Sequence, residues 1–140
     1  MFQENIPRSR AAPRREIRGA HAVLHYVLDA ERRLVVVKFR KKVTVKDIER
    51  YAAALREHPQ FKPEFSEIAD LSEVEQLDLQ ADEFIRLADE IDPFSPHARR
   101  AFVVRTAVQS HAARMHKILR VQRDFSIFRS VEEAERWIAS

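Results

Sequence analysis

The chemistry-bearing residues of this chain are few, and their spacing is informative. Asp78 and Asp82 lie one helical turn apart, the spacing at which two carboxylates could share acid–base work. Nothing around them marks either as buried, and an acidic helix start is the simpler assignment. His21 and His25 fall four apart in a strand-like segment. They share a face but lie about 13 Å apart, too far to share one metal ion. His111 and His116 are five apart in a helical segment and point to different sides, and His97 stands in a proline-bounded loop. Ser110 and His111 are neighbours in sequence only, with no glycine elbow to expose a nucleophile. There is no Cys, and the one Gly is Gly19. Thiolate chemistry, Cys-ligated metals and glycine-rich phosphate loops are therefore excluded for the body of the chain. The expectation is a protein that is not an enzyme, with no catalytic residue, no metal and no cofactor.

A second set of residues points to apolar binding. Phe61, Phe65, Phe84, Phe94, Phe102, Phe125 and Phe128 are many aromatics for one small core, and most must be packing. Phe84, Ile85, Phe94 and Met115 could line a cleft between helices. Arg99, Arg100 or Arg105 could hold an anionic headgroup beside it.

Charge is unevenly placed. The formal net charge is +3, and residues 1–20 account for it with five Arg against two Glu. Residues 64–92 then carry eleven acids against one base, and residues 97–129 carry eight bases against one acid. The body is not a basic domain of the kind that binds nucleic acid specifically. The two blocks either face each other or form opposite patches. Residues 1–20, rich in Arg and holding two Pro, suit a flexible basic tail better than a folded element. Five charges would give such an arm only weak, salt-sensitive attachment to nucleic acid or anionic membrane. No apolar run approaches the ~20 residues that span a bilayer, and a cytoplasmic location is expected.

The remaining residues, 21–140, read as one domain in which the apolar period alternates between two and 3.6. HAVLHYVL (21–28) and LVVVKF (34–39) are strands joined by a short polar connector, hence an antiparallel hairpin. Thr44 with Asp47 forms a capping box for a helix that buries Ile48, Ala52 and Leu55, with Tyr51 flanking. FSEIADL (65–71) is a strand and 81–91 a helix, ended by Pro93 and Pro96. AFVV (101–104) is a buried strand. A helix over 106–119 follows, with Val108, Ala112, Met115 and Leu119 as its apolar side. FSIF (125–128) is the last strand, and Ser130 with Glu133 caps a last helix bearing Val131, Ala134, Trp137 and Ile138. The order β-β-α-β-α-β-α-β-α predicts an α/β fold with a five-stranded, mostly parallel sheet whose first strand is antiparallel.

The segment Asp70-Leu71-Ser72-Glu73-Val74-Glu75-Gln76-Leu77-Asp78 resembles the strand-to-helix passage of STAS domains, the SpoIIAA-like family of bacterial anti-sigma-factor antagonists. The likeness extends over residues 21–140, through FSPHARRAFVV and the ARM of the third helix, and is nearest to the divergent STAS/SEC14-like branch. It implies the SpoIIAA-like fold and a regulatory module that binds a protein partner. Asp70, Ser72, Asp78, Leu79, Gln80 and Asp82 are then the candidate partner-binding residues. The chain departs from the family where antagonists carry a phosphorylatable Ser after the second aspartate. Leu79 stands there, followed by Gln80 and Ala81, so the charge-adding switch has no hydroxyl to act on. Ser72 and Ser95 are the remaining candidates for phosphorylation. The alternative is a carrier domain of SEC14-like type for a lipid or apolar anion, with Phe84, Ile85, Phe94, Arg99, Arg100 and Met115 as its pocket. A homodimer through apolar positions around Phe2, Tyr51 and Trp137 is a further candidate.

Overall fold

The computed structural model describes residues 14–18 and 23–140. In chain order the elements are β1 (Arg14–Arg18), β2 (Val23–Asp29), β3 (Leu34–Thr44), α1 (Val45–Glu57), β4 (Ser66–Asp78) and α2 (Ala81–Arg86). A π-helical turn (Leu87–Ile91) continues α2, and β5 (Arg100–Val103), α3 (Ala107–Arg120), β6 (Phe125–Phe128) and α4 (Val131–Ala139) complete the chain. The strands of the described residues form one sheet in sequential order, β1 to β6. β2 runs antiparallel to β3, while the pairs β3–β4, β4–β5 and β5–β6 are parallel. Strands β2 to β6 are thus the expected five-stranded sheet with its first strand reversed.

Period-two alternation in the strands supplies both faces of the sheet. Leu34, Ile68, Ala101 and Val103 point to one side, where Ala134, Trp137 and Ile138 of α4 cover them. Val35, Val37, Ala69 and Phe102 point to the other, under α1 and α3. The three crossover helices α1, α2 and α3 share that second side, as same-handed crossovers in one direction require. Thr44 caps α1 as expected, its hydroxyl accepting from Asp47 N while the Asp47 carboxylate accepts from Thr44 N. Ser130 likewise caps α4, accepting from Glu133 N.

The structure departs from the sequence expectations in four places. Residues 14–18, assigned to a flexible tail, form β1, which pairs antiparallel with β2 from Arg14↔Val27 to Arg18↔Val23 and so occupies the edge that β2 would otherwise expose. The rest of the expected tail, His21 and Phe2 lie outside the described residues. β3 and β4 continue well past the ends expected at Phe39 and Leu71. Arg40↔Glu73 through Thr44↔Asp78 pair as a two-stranded arm, with register shifts that place extra residues on β4. Residues 70–78 are therefore strand, not a turn into a helix. Ion pairs from Lys38 (2.5 Å) and Arg40 (3.1 Å) to Glu73, and from Lys42 to Asp78 (3.6 Å), link the two strands.

Tyr51 is a core residue, 4% exposed, and so cannot serve as an exposed dimer contact. It packs edge-on against Tyr26 and Phe39. Trp137 is half-buried against Phe128 and under the Arg99 guanidinium, 4.2 Å from its ring centroid. Finally, α3 turns Gln109, Ala113 and His116 fully inward and leaves Ala112, Met115 and Leu119 of the expected apolar side only half-buried. Val108 is 67% exposed. The rotation follows from polar partners waiting inside for Gln109 and His116.

Candidate functional site: an apolar cavity with a buried ionic end

Strand parity decides the site. Glu67 shares the face of Ala69 and Leu71, and Arg100 shares that of Phe102, so both charged side chains point under the helices. They are also direct register partners on β4 and β5. Arg100 gives Glu67 Oε1 two hydrogen bonds, from Nε (3.0 Å) and from the second terminal nitrogen (2.7 Å). Its other terminal nitrogen reaches Asp92 Oδ2 (2.6 Å) and Gln122 Oε1 (3.1 Å). Tyr51 donates its hydroxyl to Glu67 Oε2 at 2.7 Å. His116 Nε2 lies 2.7 Å from Asp92 Oδ2 and, facing a carboxylate, is the nitrogen that donates. Asp92 Oδ1 accepts from Phe94 N. Gln122 Nε2 donates to the carbonyls of Ser95, Pro96 and Ala98, which ties the proline loop to the same cluster. Arg120 bonds the carbonyls of Ala88 and Phe94, with its Nε 3.7 Å from Asp92.

The charges hold one another in place. Burial alone would raise Asp92, but the Arg100 charge, the His116 hydrogen bond and the remaining attractions outweigh it and hold the carboxyl well below its ordinary range. Burial would lower Arg100, and Glu67 and Asp92 more than reverse that. Tyr51 is pushed well above its usual value, first by burial and then by the Glu67 charge and hydrogen bond. Two buried acids, Glu67 and Asp92, thus stand against Arg100 and the half-buried Arg120.

Beside this cluster is a cavity of about 90 Å³ between the sheet and the helix layer. Its floor includes Phe39, Ala69 and Phe102, its walls include Ile48 and Ala52 of α1 and Ala112 and Ala113 of α3, and Leu79, Phe84 and Leu87 lie along the α2 side. Glu67, Asp92, Arg100, His116 and Tyr51 close the polar end. α2 buries none of its six residues fully, so it covers the cavity lightly.

Of the pocket residues named from sequence, Phe84, Phe94 and Arg100 line this cavity. Ile85 is 50% exposed, and Met115 does not line it. Arg99 points to the opposite face, where its guanidinium bonds the carbonyls of Trp137 (2.6 Å), Ile138 and Ser140 at the end of α4. It stabilises a helix C-terminus instead of holding a headgroup. The partner-binding set does not form one exposed face. Asp70 is buried, accepting from Ser72 N, and Asp78 pairs with Lys42. Leu79 lines the cavity, while Gln80 and Asp82 are exposed at the start of α2. Glu67, Tyr51, Asp92, His116 and Gln122 were missed from sequence. Parity along FSEIADL and the inward spacing of Gln109, Ala113 and His116 were the available signals. Among the described residues no group of three His, Asp or Glu is placed to hold a metal ion, and no helix is long and apolar enough to cross a membrane.

No family model matches the chain, and neither does any curated protein. Among solved structures it resembles an uncharacterized DUF3478-family protein with a SpoIIAA-like fold from Shewanella loihica PV-4. That protein is 19% identical, with 91% of this chain and 94% of that one covered at a TM-score of 0.54. The chain has the SpoIIAA-like fold. Leu79, which the sequence resemblance set against the phosphorylatable Ser of the antagonists, lines the cavity.

Proposed function

We propose that this SpoIIAA-like domain binds a small, neutral, apolar molecule in the cavity under α2, and that it binds without transforming it. The observation that carries this reading is an almost wholly apolar cavity whose charged groups, Glu67, Asp92 and Arg100, are paired with one another, while His116 Nδ1 and Arg120 Nε are the buried side-chain atoms of this cluster without a hydrogen-bond partner. Arg100 spends its donors on Glu67, Asp92 and Gln122, so a ligand carboxylate or phosphate would gain little there and would have to displace a buried carboxylate. That argues for a neutral ligand over the apolar anion expected from sequence. At about 90 Å³ the cavity is smaller than the ~150 Å³ apolar cavities that take up benzene, so xenon or a short alkyl group fits it as it stands and a ring requires α2 to yield. The lightly packed α2 gives a route of entry.

Toluene, indole and xenon are the probes, and thermal unfolding and methyl NMR shifts are the readouts. Saturable binding of a neutral probe is expected, with decanoate no better than the solvent control. Ala113→Leu fills the cavity and is expected to abolish the response while the chain remains folded. A response of equal size in Ala113→Leu, or none in the parent protein, overturns the reading.

A further inference from the structure

Part of the apolar surface of α3 is left in solvent. Val108, Met115 and Ile118 recur at helical spacing on one face, and Val108 and Ile118 are 67% and 73% exposed. Ile85, on the neighbouring α2, is 50% exposed. α2 and α3 lie side by side and, each being a crossover between parallel strands, run in the same direction. The seam between them is therefore an apolar strip in solvent.

Its two banks carry opposite charge. α2 and the π-helical turn present Asp82 and Asp89 as exposed acids, and their one base, Arg86, is engaged by Glu49 of α1. α3 contains no acid at all, and Arg114 and Lys117 are exposed on it. Among the described residues no ion pair joins Asp82 or Asp89 to Arg114 or Lys117, so the two banks do not neutralise each other within the chain.

We infer that this α2–α3 face is a self-association surface, and that its occupant is a second copy of this chain. A two-fold axis running along the seam lays α2 of each copy over α3 of the other. Acidic bank then meets basic bank twice, and the apolar strip meets itself at the axis, as an isologous interface requires. A two-fold axis across the helices would instead oppose like charges, which disfavours that arrangement.

Analytical ultracentrifugation of the full chain tests this. The parent protein is expected to sediment as a dimer at micromolar concentration and to dissociate as salt rises. Arg114→Glu with Lys117→Glu should give a monomer, and so should Asp82→Lys with Asp89→Lys, each with an unchanged circular dichroism spectrum. Mixing the two double variants restores both complementary contacts, and a heterodimer should re-form. Ile118→Asp, which alters no ion pair, should also give a folded monomer. A parent protein that is monomeric throughout overturns the inference. So do a dimer indifferent to these changes and a mixture of charge variants that stays monomeric.

Discussion

Glu67 and Arg100 sit opposite each other on adjacent parallel strands, and both point into the layer filled by aromatic and aliphatic side chains. Exposures of 2% and 4% leave neither charge any water to fall back on. A buried pair of this kind adds little net stability over an apolar replacement, but removing one partner strands the other. Arg100→Leu leaves Glu67 and Asp92 facing each other's field without the guanidinium between them. The expected cost is about 3–5 kcal/mol, a large part of a domain stability of about 5–15 kcal/mol. Arg100→Lys keeps the charge but cannot span both acids, and should fall between the parent and Arg100→Leu. Urea unfolding followed by circular dichroism measures both, and a loss below about 1 kcal/mol for Arg100→Leu would refute the account.

Asp92 makes the stability pH-dependent in a stated direction. Its carboxyl is held below its ordinary value of 3.8, against the opposing effect of burial, by Arg100 and His116. A group depressed on folding contributes stability that is complete above its unfolded value and is lost as pH falls through and below it. Unfolding free energy should therefore drop from about pH 5 downward, as the unfolded chain takes up a proton that the folded chain refuses. Asp92→Asn is expected to be less stable at neutral pH and to show a flatter profile in that acid window. Urea titrations across the window decide it, and parallel profiles for the two proteins would count against the assignment.

The fold was legible in the sequence because its signals are local. Thr44 with Asp47, the hairpin connector after Leu28 and the β-branched run 34–37 each fix an element from a few neighbours. The buried ionic cluster was not legible in that way, since it joins β4, β5, the π-helical turn, α3 and the Gln122 turn across the fold. Arg100 was assigned to a ligand headgroup, whereas its parity with Phe102 and Val104 turns it inward onto Glu67 and Asp92. The arm formed by Arg40–Thr44 and Glu73–Asp78 escaped for another reason. Its lysines and glutamates look like solvated linker until cross-strand pairing gives them partners. The α3 face was misassigned because Gln109 and His116 look like surface residues until Val74 O and Asp92 are seen opposite them.

Gln109 locks that arm to α3. It is 1% exposed, and every polar atom of its side chain is used. Oε1 accepts from the backbone nitrogens of Arg105 (2.7 Å) and Thr106 (3.2 Å), and Nε2 donates to Val74 O (2.8 Å). Val74 O lies on the stretch of β4 that has no β5 partner, so the amide stands in for a missing strand. Gln109→Ala should cost about 2–3 kcal/mol, combining a lost helix cap with buried groups left unpaired. Gln109→Glu should recover the cap but not the Val74 contact. Hydrogen exchange separates the two effects. Faster exchange in residues 73–78 is expected in both variants, with protection at the start of α3 lost only in Gln109→Ala. Unchanged exchange along 73–78 would contradict the role assigned to this side chain.

Val121 ends α3 in the left-handed region, with φ 55°, a conformation that a β-branched residue adopts reluctantly. The turn lets Gln122 N bond Lys117 O at 3.0 Å and sends the Gln122 side chain down to Arg100. The strain is therefore tied to the buried cluster, while the Val121 side chain is 68% exposed and contributes little packing. A Cβ in this conformation costs roughly 1–2 kcal/mol, and the extra freedom of an unfolded glycine costs about 0.5–1 kcal/mol. Val121→Gly should accordingly gain up to about 1 kcal/mol and raise Tm by about 3 °C. Val121→Ala keeps the Cβ and should gain much less, which ties the effect to backbone strain and not to the removal of an exposed apolar group. Thermal unfolding of the two variants beside the parent is the measurement, and equal gains in both would mean that exposure, not the left-handed turn, sets the stability at this position.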